Sequence, residues 1–352
     1  MNKTKAFDIP KILVWNAFQL VKANKGGSGV DQESIKDFEQ ELSRNLYKLW
    51  NRLSSGTYFP PAVKGVAIPK KQGGTRMLGI PTEADRIAQM VVKLSFELIV
   101  EPKFLENSYG YRPNKSALYA VGVTRKRCWQ YSWCIEFDIK GLFDNINHDL
   151  LMKAVRKHTD NKWIIFYIER WLKAPMKMPD GSMVECALGV PQDCVISPVL
   201  SNLFLHYAFD VWMTKHYKRN PWCRYADDGL THCKTEVEAN ELLLKLQERF
   251  KECGLELHPE KTKIIYCKDN QRKGNHQNTK FKFLGYEFCS RAVKGSNKRV
   301  FRSFTPAISS EAKKNICRKI KETGVRKRSD LTINEVANWL NPMIAGWIKL
   351  LW

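Results

Sequence analysis

Hydrophobic side chains recur with a helical period over the first part of the chain and then give way to shorter runs. Residues 7–23 and 32–54 place apolar side chains three and four positions apart, which predicts two amphipathic helices. Residues 63–69 and 77–81 are short apolar runs on either side of a turn that contains a Gly-Gly pair, which predicts a β-hairpin. Residues 82–100 return to the helical period.

Helical and strand-like patterns alternate through the rest of the chain. Further helices are predicted over residues 115–129, 149–158, 161–173, 197–216 and 235–253, from a cap at Ser309 or Ser310 to about residue 322, over 330–340, and from Pro342 onward. Strands are predicted over residues 133–139, 183–189, 221–225, 229–233, 255–266 and 281–288. This mixture, which contains no internal repeat, predicts a protein of the α+β class.

The charge of the chain narrows the kind of partner. Its 352 residues carry a formal net charge of +22, and an excess of this size favours nucleic acid or an anionic membrane surface. Thirteen Lys or Arg stand against three acids between residues 291 and 330. With 43% apolar residues the chain can bury sizeable cores, and its length fits about two domains.

Targeting and zinc-binding patterns do not occur in the sequence. It has no run of about 18 apolar residues and no apolar segment at its start, so we expect no membrane span, no signal peptide and a cytoplasmic location. The ten Cys include no C-x-x-C pair, which argues against a zinc module and for reduced thiols.

Three acidic residues stand at the ends of predicted strands. Asp227 and Asp228 follow one strand directly, and adjacent carboxylates repel each other unless a hard cation such as Mg²⁺ lies between them. Taken alone, the pair also fits an ordinary hairpin turn, because Asp is a common turn residue. Asp138 ends another predicted strand, and three carboxylates in one sheet can hold a pair of Mg²⁺ ions for phosphoryl transfer.

The predicted hairpin near residue 70 carries basic side chains at its tip and on its second strand. Lys70 and Arg76 are candidates to bind a phosphate chain, because guanidinium groups bind phosphate oxygens through two hydrogen bonds at once. The alternative is a solvated, charged hairpin without a ligand.

The order of these motifs along the chain resembles that of the reverse transcriptases. The series runs from Arg76 through Phe137-Asp138 with Phe143, Pro191-Gln192 with Ser197-Pro198, Tyr225-Ala226-Asp227-Asp228 and residues 254–263 to Phe283-Leu284-Gly285-Tyr286. The stretches Ser108-Tyr109-Gly110-Tyr111-Arg112-Pro113 and Gly141-Leu142-Phe143-Asp144-Asn145-Ile146 are similar almost word for word to the group II intron-encoded reverse transcriptase/maturases. The resemblance covers nearly the whole chain.

The resemblance implies an α+β right-hand polymerase with fingers, an antiparallel-sheet palm and a helical thumb. Residues 1–60 would form an N-terminal helical extension, and residues 61–290 the fingers and palm. Residues 291–352 would form a basic helical thumb and the start of a C-terminally truncated maturase region. The implied function is RNA-directed DNA polymerase of a group II intron-like retroelement, with intron RNA binding and a residual maturase role.

The resemblance also implies roles for individual residues. The metal ligands would be Asp138, Asp227 and Asp228 with the backbone carbonyl of Ile139, holding two Mg²⁺ ions, for which Mn²⁺ is a substitute. The nucleotide-binding residues would be Lys70, Arg76, Phe143, Gln192, Lys261 and Lys263, with Phe143 excluding a ribose 2′-hydroxyl and Lys261 or Lys263 assisting the departure of pyrophosphate. Phe283, Leu284 and Gly285 would grip the primer. Contacts to RNA would come from Lys313, Lys314, Arg318, Lys319, Arg326, Lys327 and Arg328.

The implied partners are an RNA template, a DNA or RNA primer, dNTPs and intron RNA, and no membrane. Two other roles stay open on the sequence. One is a domesticated reverse transcriptase, for example in phage defence. The other is an RNA-binding splicing factor with a vestigial polymerase site.

One loop departs from the family's pattern. The family carries Pro-Gln-Gly-Gly where this chain has Pro191-Gln192-Asp193-Cys194. Glycine at such a position permits an unusual φ or a close backbone approach, and Asp193 adds a negative charge near the incoming phosphates. We therefore expect reduced polymerase activity, which replacing both residues by Gly would restore.

Overall fold

The computed structural model describes residues 5–24, 26–69, 74–295 and 298–351. The α-helices in this part of the chain are α1 (Lys11–Asn24), α2 (Ile35–Gln40), α3 (Leu42–Ser55), α4 (Glu83–Val100), α5 (Ala117–Gln130), α6 (Leu142–Asn145), α7 (His148–His158), α8 (Lys162–Leu172), α9 (Ser197–Leu205), α10 (Val211–His216), α11 (Glu236–Glu252), α12 (Ser310–Glu322) and α13 (Ile333–Leu351). The strands are β1 (Val63–Pro69), β2 (Thr75–Ile80), β3 (Trp133–Asp138), β4 (Met176–Lys177), β5 (Met183–Val184), β6 (Trp222–Tyr225), β7 (Asp228–Cys233), β8 (Lys263–Tyr266), β9 (Lys280–Phe283), β10 (Tyr286–Lys294) and β11 (Val300–Ile308). The α+β class predicted from the sequence is confirmed.

The first of two compact units comprises Met1–Glu106, Ile139–Lys215 and Gln247–Glu256. Its four-stranded sheet has the order β2-β1-β4-β5, in which β1 and β2 run antiparallel and β4 lies parallel to β1. The β1–β2 pair is the hairpin that the sequence predicts on either side of the Gly-Gly turn.

A buried carboxylate connects two helices of this unit. Asp85 lies in the first turn of α4, behind the helix cap Thr82. It accepts hydrogen bonds from the Tyr58 hydroxyl at 2.8 Å, from Trp171 Nε1 at 2.8 Å and from Gln89 Nε2 at 2.9 Å. Burial raises the pKa of Asp85, whereas these three donors favour its charged form. Asp85 therefore links α4 to α8 and to Tyr58.

The second unit comprises Asn107–Asp138, His216–Leu246 and Leu257–Trp352. Its four-stranded antiparallel sheet has the order β6-β7-β3-β8, and a second sheet has the order β11-β10-β9. The pairing of β3 with β7 places Phe137 opposite Gly229 and Asp138 opposite Asp228. A Cβ at Gly229 would lie 2.1 Å from the Phe137 ring, so this position accommodates only hydrogen.

Several sequence predictions near the C-terminal end need correction. The predicted strand 281–288 is two strands, β9 and β10, because Leu284 and Gly285 take φ of 51° and 84° and turn the chain. The basic segment from residue 291 begins as the β10–β11 hairpin and is helical only from Ser310. Helix α13 continues through Pro342, since an internal proline removes one backbone hydrogen bond without always ending a helix.

Three predicted elements elsewhere are also different in the structure. The helix predicted over 32–54 is divided into α2 and α3 at Glu41, whose φ of −116° and ψ of 40° are not helical. Strand β8 covers only the end of the predicted strand 255–266, and β5 only the start of the predicted strand 183–189. Among the described helices, none combines the length and the apolar composition that a membrane crossing requires.

A buried histidine makes the second unit sensitive to acid. His232 in β7 is fully buried, and within the described chain neither of its ring nitrogens has a hydrogen-bond partner. Burial, with a smaller contribution from Arg127, lowers the pKa of His232 to about 3. The folded chain therefore holds this ring neutral.

We expect the free energy of unfolding to fall as the pH drops below 6.5. The unfolded chain protonates His232 at its ordinary pKa of 6.5, so stabilisation that is complete above pH 6.5 is lost progressively down to about pH 3. Relative to His232→Leu, the parent should lose ~1.4 kcal/mol more per pH unit in this window, as measured by urea unfolding. The exposed His216→Leu should keep the parent's pH slope; equal slopes for the parent and His232→Leu would contradict the prediction.

Candidate active site

A two-residue turn brings the adjacent acids to one end of the sheet. Ala226 and Asp227 join β6 to β7, with Tyr225 paired to Asp228. Ala226 takes a φ of 55°, and tight hairpin turns require a positive φ at their first position because it matches the twist of the strands. Asp228 then opens β7 directly opposite Asp138, the last residue of β3. The structure thus places Asp138 opposite Asp228, with Asp227 next to Asp228 in the turn.

These carboxylates repel one another. The pKa of Asp228 is raised to about 7, first by loss of surrounding water and then by the charges of Asp227 and Asp138. Asp228 is nevertheless the one exposed residue of β7. Like charges directly opposite each other across two strands destabilise a sheet. The site therefore favours a positive charge among these oxygens.

One lysine supplies part of that charge. Lys261 Nζ forms an ion pair with Asp138 Oδ2, and the backbone N–H of His258 donates to the Asp138 carbonyl at 2.8 Å. The pKa of Lys261 is raised, chiefly by its hydrogen bond to Asp138, with all three acids contributing. Lys261 is thus at the carboxylates, whereas Lys263 lies in β8 opposite Glu136.

The donor set suits a hard divalent cation. Carboxylate oxygens are the ligands that Mg²⁺ prefers, and their mutual repulsion is what such an ion relieves. Over the described ranges, no three His, Cys, Asp or Glu side chains already converge as a preformed metal site. Ile139, whose carbonyl is the fourth predicted ligand, directly follows Asp138 and is 1% exposed.

A fourth carboxylate near the three acids, Glu136 on β3, was missed by sequence reasoning. Glu136 lies two positions before Asp138, on the same face of β3, and accepts a hydrogen bond from the backbone of Lys282 in β9. Burial first, then the charges of Asp228 and Asp138, raise the pKa of Glu136 to about 7. The strand's period of two is the signal that could have identified it.

Two nucleotide-binding candidates meet in the first unit. The Phe143 carbonyl accepts from the backbone N–H of Val190 at 2.7 Å, and Gln192 Nε2 donates to Asp144 Oδ1 at 3.3 Å. The backbone N–H of Gly79 in β2 donates to the Gln192 carbonyl at 2.9 Å. Phe143 and Gln192 therefore belong to one cluster beside β2.

One further candidate lies in the β1–β2 hairpin. Arg76 is exposed on β2, opposite Ile68. Lys70 lies outside the described residues.

Comparisons with known proteins place the chain in a family. A family model described as reverse transcriptase (RNA-dependent DNA polymerase) matches residues 68–288. Protein YkfC of Escherichia coli (strain K12) is 30% identical over 332 residues, which cover 81% of this chain and 82% of YkfC. The group II intron-encoded protein LtrA of Lactococcus lactis subsp. cremoris is 33% identical over 193 residues, covering 54% of this chain and 32% of LtrA. The putative COX1/OXI3 intron 1 protein of Saccharomyces cerevisiae is 33% identical over 197 residues, covering 56% of this chain and 23% of that protein.

The chain belongs to the reverse transcriptase family. Its intron-encoded relatives support membership of the group II intron-encoded reverse transcriptase/maturases within that family. The chain spans a third or less of the length of the two intron-encoded relatives described above.

The loop that departs from the family's pattern has unusual backbone geometry in this reverse transcriptase. Asp193 is exposed and takes a φ of 78°, a left-handed conformation that glycine adopts without cost. Cys194, in contrast, is only 5% exposed. Replacing Cys194 by Gly would leave a cavity, so the test that the sequence suggested is better made at Asp193 alone.

The predicted primer grip is the tip of a hairpin. Phe283 ends β9, and Leu284 and Gly285 form the turn to β10. Behind the tip, the rings of Phe281 and Phe288 stack with their centroids 4.6 Å apart. Gripping of a primer by this hairpin stays a prediction.

The seven basic residues predicted to contact RNA are all exposed. They are Lys313, Lys314, Arg318 and Lys319 on α12, and Arg326, Lys327 and Arg328 after it. Arg318 pairs with Glu322 and Arg328 with Asp330, in both cases at the surface. A role in binding RNA stays a prediction for all seven.

We expect Asp193→Gly to raise the free energy of unfolding by roughly 0.5–1 kcal/mol, since glycine adopts the left-handed conformation at this position without the strain that a side chain causes. It should also increase the rate of primer extension. Urea unfolding measures the stability, with exposed Asp160→Gly as the matched control. Asp160 does not have a positive φ, so glycine there should destabilise the fold. Loss of stability in both variants would refute the account of Asp193.

Proposed function

We propose that this reverse transcriptase extends a primer along an RNA template by nucleotidyl transfer from dNTPs, with Asp138, Asp227 and Asp228 as ligands of two Mg²⁺ ions. The observation that carries the proposal is the cross-strand pairing of Asp138 with Asp228 beside the Asp227 turn. Two bound ions would activate the primer 3′-oxygen and stabilise the leaving pyrophosphate. A carbonyl ligand from Ile139 and substitution by Mn²⁺ are parts of the same proposal.

Two lysines near the carboxylates are candidate proton donors in the proposed reaction. Lys261 Nζ forms an ion pair with the Asp138 carboxylate, so a positive charge already lies beside the proposed metal site. A lysine ammonium group is protonated at neutral pH, as a proton donor to departing pyrophosphate must be. Lys263 is the alternative donor on β8.

The first unit would select the nucleotide. Phe143 would exclude a ribose 2′-hydroxyl through its ring, and Gln192 would contact the nucleotide or template. Their shared cluster beside β2 supports a common pocket. Arg76 and Lys70 would bind the triphosphate by charge-assisted hydrogen bonds.

The remaining parts of the proposal concern nucleic acid. The net charge of +22 and the exposed basic residues of α12 and the segment after it favour the template–primer duplex and intron RNA as ligands. We propose the right-hand arrangement of fingers, palm and thumb, and a cytoplasmic location, on the strength of the family. The intron-encoded relatives favour the intron role over a role in defence.

Asp227→Asn should reduce primer extension by at least about 100-fold, because it removes a ligand charge from the metal site. The assay is Mg²⁺-dependent extension of oligo(dT) on poly(rA) by the full chain. Asp160→Asn, which neutralises an exposed acid in the first unit, should keep the parent's rate. If Asp227→Asn also kept that rate, the proposed centre would be wrong.

Phe143→Ala should admit ribonucleotides, since a truncated side chain no longer excludes the 2′-hydroxyl. Discrimination, measured as the ratio of kcat/KM for dTTP to that for UTP, should fall by roughly 10- to 200-fold. The exposed Phe59→Ala is the matched aromatic control and should leave the ratio unchanged. An unchanged ratio for Phe143→Ala would remove this role.

A further inference from the structure

The loop at residues 107–109 pairs with β6, the outer strand of the β6–β7 hairpin. The backbone N–H of Arg224 in β6 donates to the Asn107 carbonyl at 3.0 Å, and the N–H of Tyr109 donates to the Arg224 carbonyl at 2.8 Å. Ser108 and Arg224 thus form a parallel bridge. Residues 107–109 thus extend the sheet beyond β6. Their partner Arg224 lies two residues before Ala226, where the turn that carries Asp227 begins.

The Arg224 side chain joins this loop to the turn. It is fully buried, which is costly for a charged group unless its donors are paired. Its Nη1 donates to the Ala226 carbonyl at 3.1 Å, and its Nη2 to Ser108 Oγ at 2.8 Å. One planar guanidinium therefore bonds the residue that immediately precedes Asp227 and, at the same time, the neighbouring loop.

The loop also packs directly on the turn. A Cβ at Gly110 would lie 2.4 Å from the Ala226 nitrogen, so only glycine permits this approach. Ala226 holds a φ of 55°, which a residue with a side chain rarely adopts unless its surroundings enforce it. Arg224 from one side and Gly110 from another supply such surroundings.

We propose that Arg224, anchored by Ser108, is a positioning residue that fixes the Ala226-Asp227 turn and thereby sets the orientation of the Asp227 and Asp228 carboxylates toward divalent cations. The proposal rests on the function proposed above. In this role the Nη1–H of Arg224 holds the Ala226 carbonyl, and Arg224 acts through the turn rather than through contact with substrate.

The test compares Ser108→Ala and Arg224→Lys with Arg127→Lys in the full chain. Arg127 is the matched control, because it bonds Asn107 Oδ1 at 2.7 Å and the Trp222 carbonyl in the same part of the sheet but does not bond the turn carbonyl. The readouts are Mn²⁺ affinity by electron paramagnetic resonance, kcat and KM for dTTP, and the melting temperature. Lysine keeps the charge but loses the fork that spans two acceptors.

We expect Ser108→Ala and Arg224→Lys each to weaken Mn²⁺ binding by about 10-fold and to lower kcat with little change in KM. Arg127→Lys should change neither Mn²⁺ affinity nor kcat, even if it lowers the melting temperature. If Arg224→Lys does not fold, the Mn²⁺ affinity and kcat of Ser108→Ala test the proposal, since this substitution removes only a hydroxyl group. Variants whose Mn²⁺ affinity equals that of Arg127→Lys would overturn the positioning role alone. A parent chain that binds no Mn²⁺ would overturn the proposed function and this proposal with it.

Discussion

The juxtaposition of two like charges organises the second unit of this protein. The register of β3 and β7 forces Asp138 opposite Asp228, and the turn between β6 and β7 adds Asp227 beside them. A sheet gains nothing from such an arrangement, because facing carboxylates repel. Lys261 forms an ion pair with Asp138 and so offsets part of this repulsion. The pKa of Asp228 is raised by burial and by the neighbouring acids. A centre that is unfavourable by itself and favourable with cations is what two-metal phosphoryl transfer requires.

The surroundings of the turn have to be rigid for the same reason. Carboxylates that are to hold metal ions depend on supporting groups for their geometry. The Phe137 ring packs against Gly229 and so fixes the distance between β3 and β7. Gly110 packs against Ala226 in the turn, and Arg224 donates a hydrogen bond to the Ala226 carbonyl. In the same sheet, His232 is buried, and neither of its ring nitrogens has a hydrogen-bond partner among the described residues, which reduces the acid tolerance of the unit.

Sequence reasoning identified those features that depend on local pattern. Helix α4, the β1–β2 hairpin and the acids at strand ends follow from spacing and turn chemistry, and the motif order led to the family. It failed where tertiary contacts decide. The break at Leu284 and Gly285 and the unbroken α13 across Pro342 contradict local propensity. Glu136 and Arg224 escaped notice, because their importance lies in what they contact across the sheet rather than in their neighbours along the chain.

The most direct test of the account is the binding of Mn²⁺ to the full chain in the presence of a primer–template that lacks a 3′-hydroxyl and of the matching dNTP. Electron paramagnetic resonance counts the bound ions. The account predicts about two ions per parent chain, and weaker binding of at least one ion in Asp227→Asn. Equal binding by the two chains would contradict the claim that the paired carboxylates hold the metal ions.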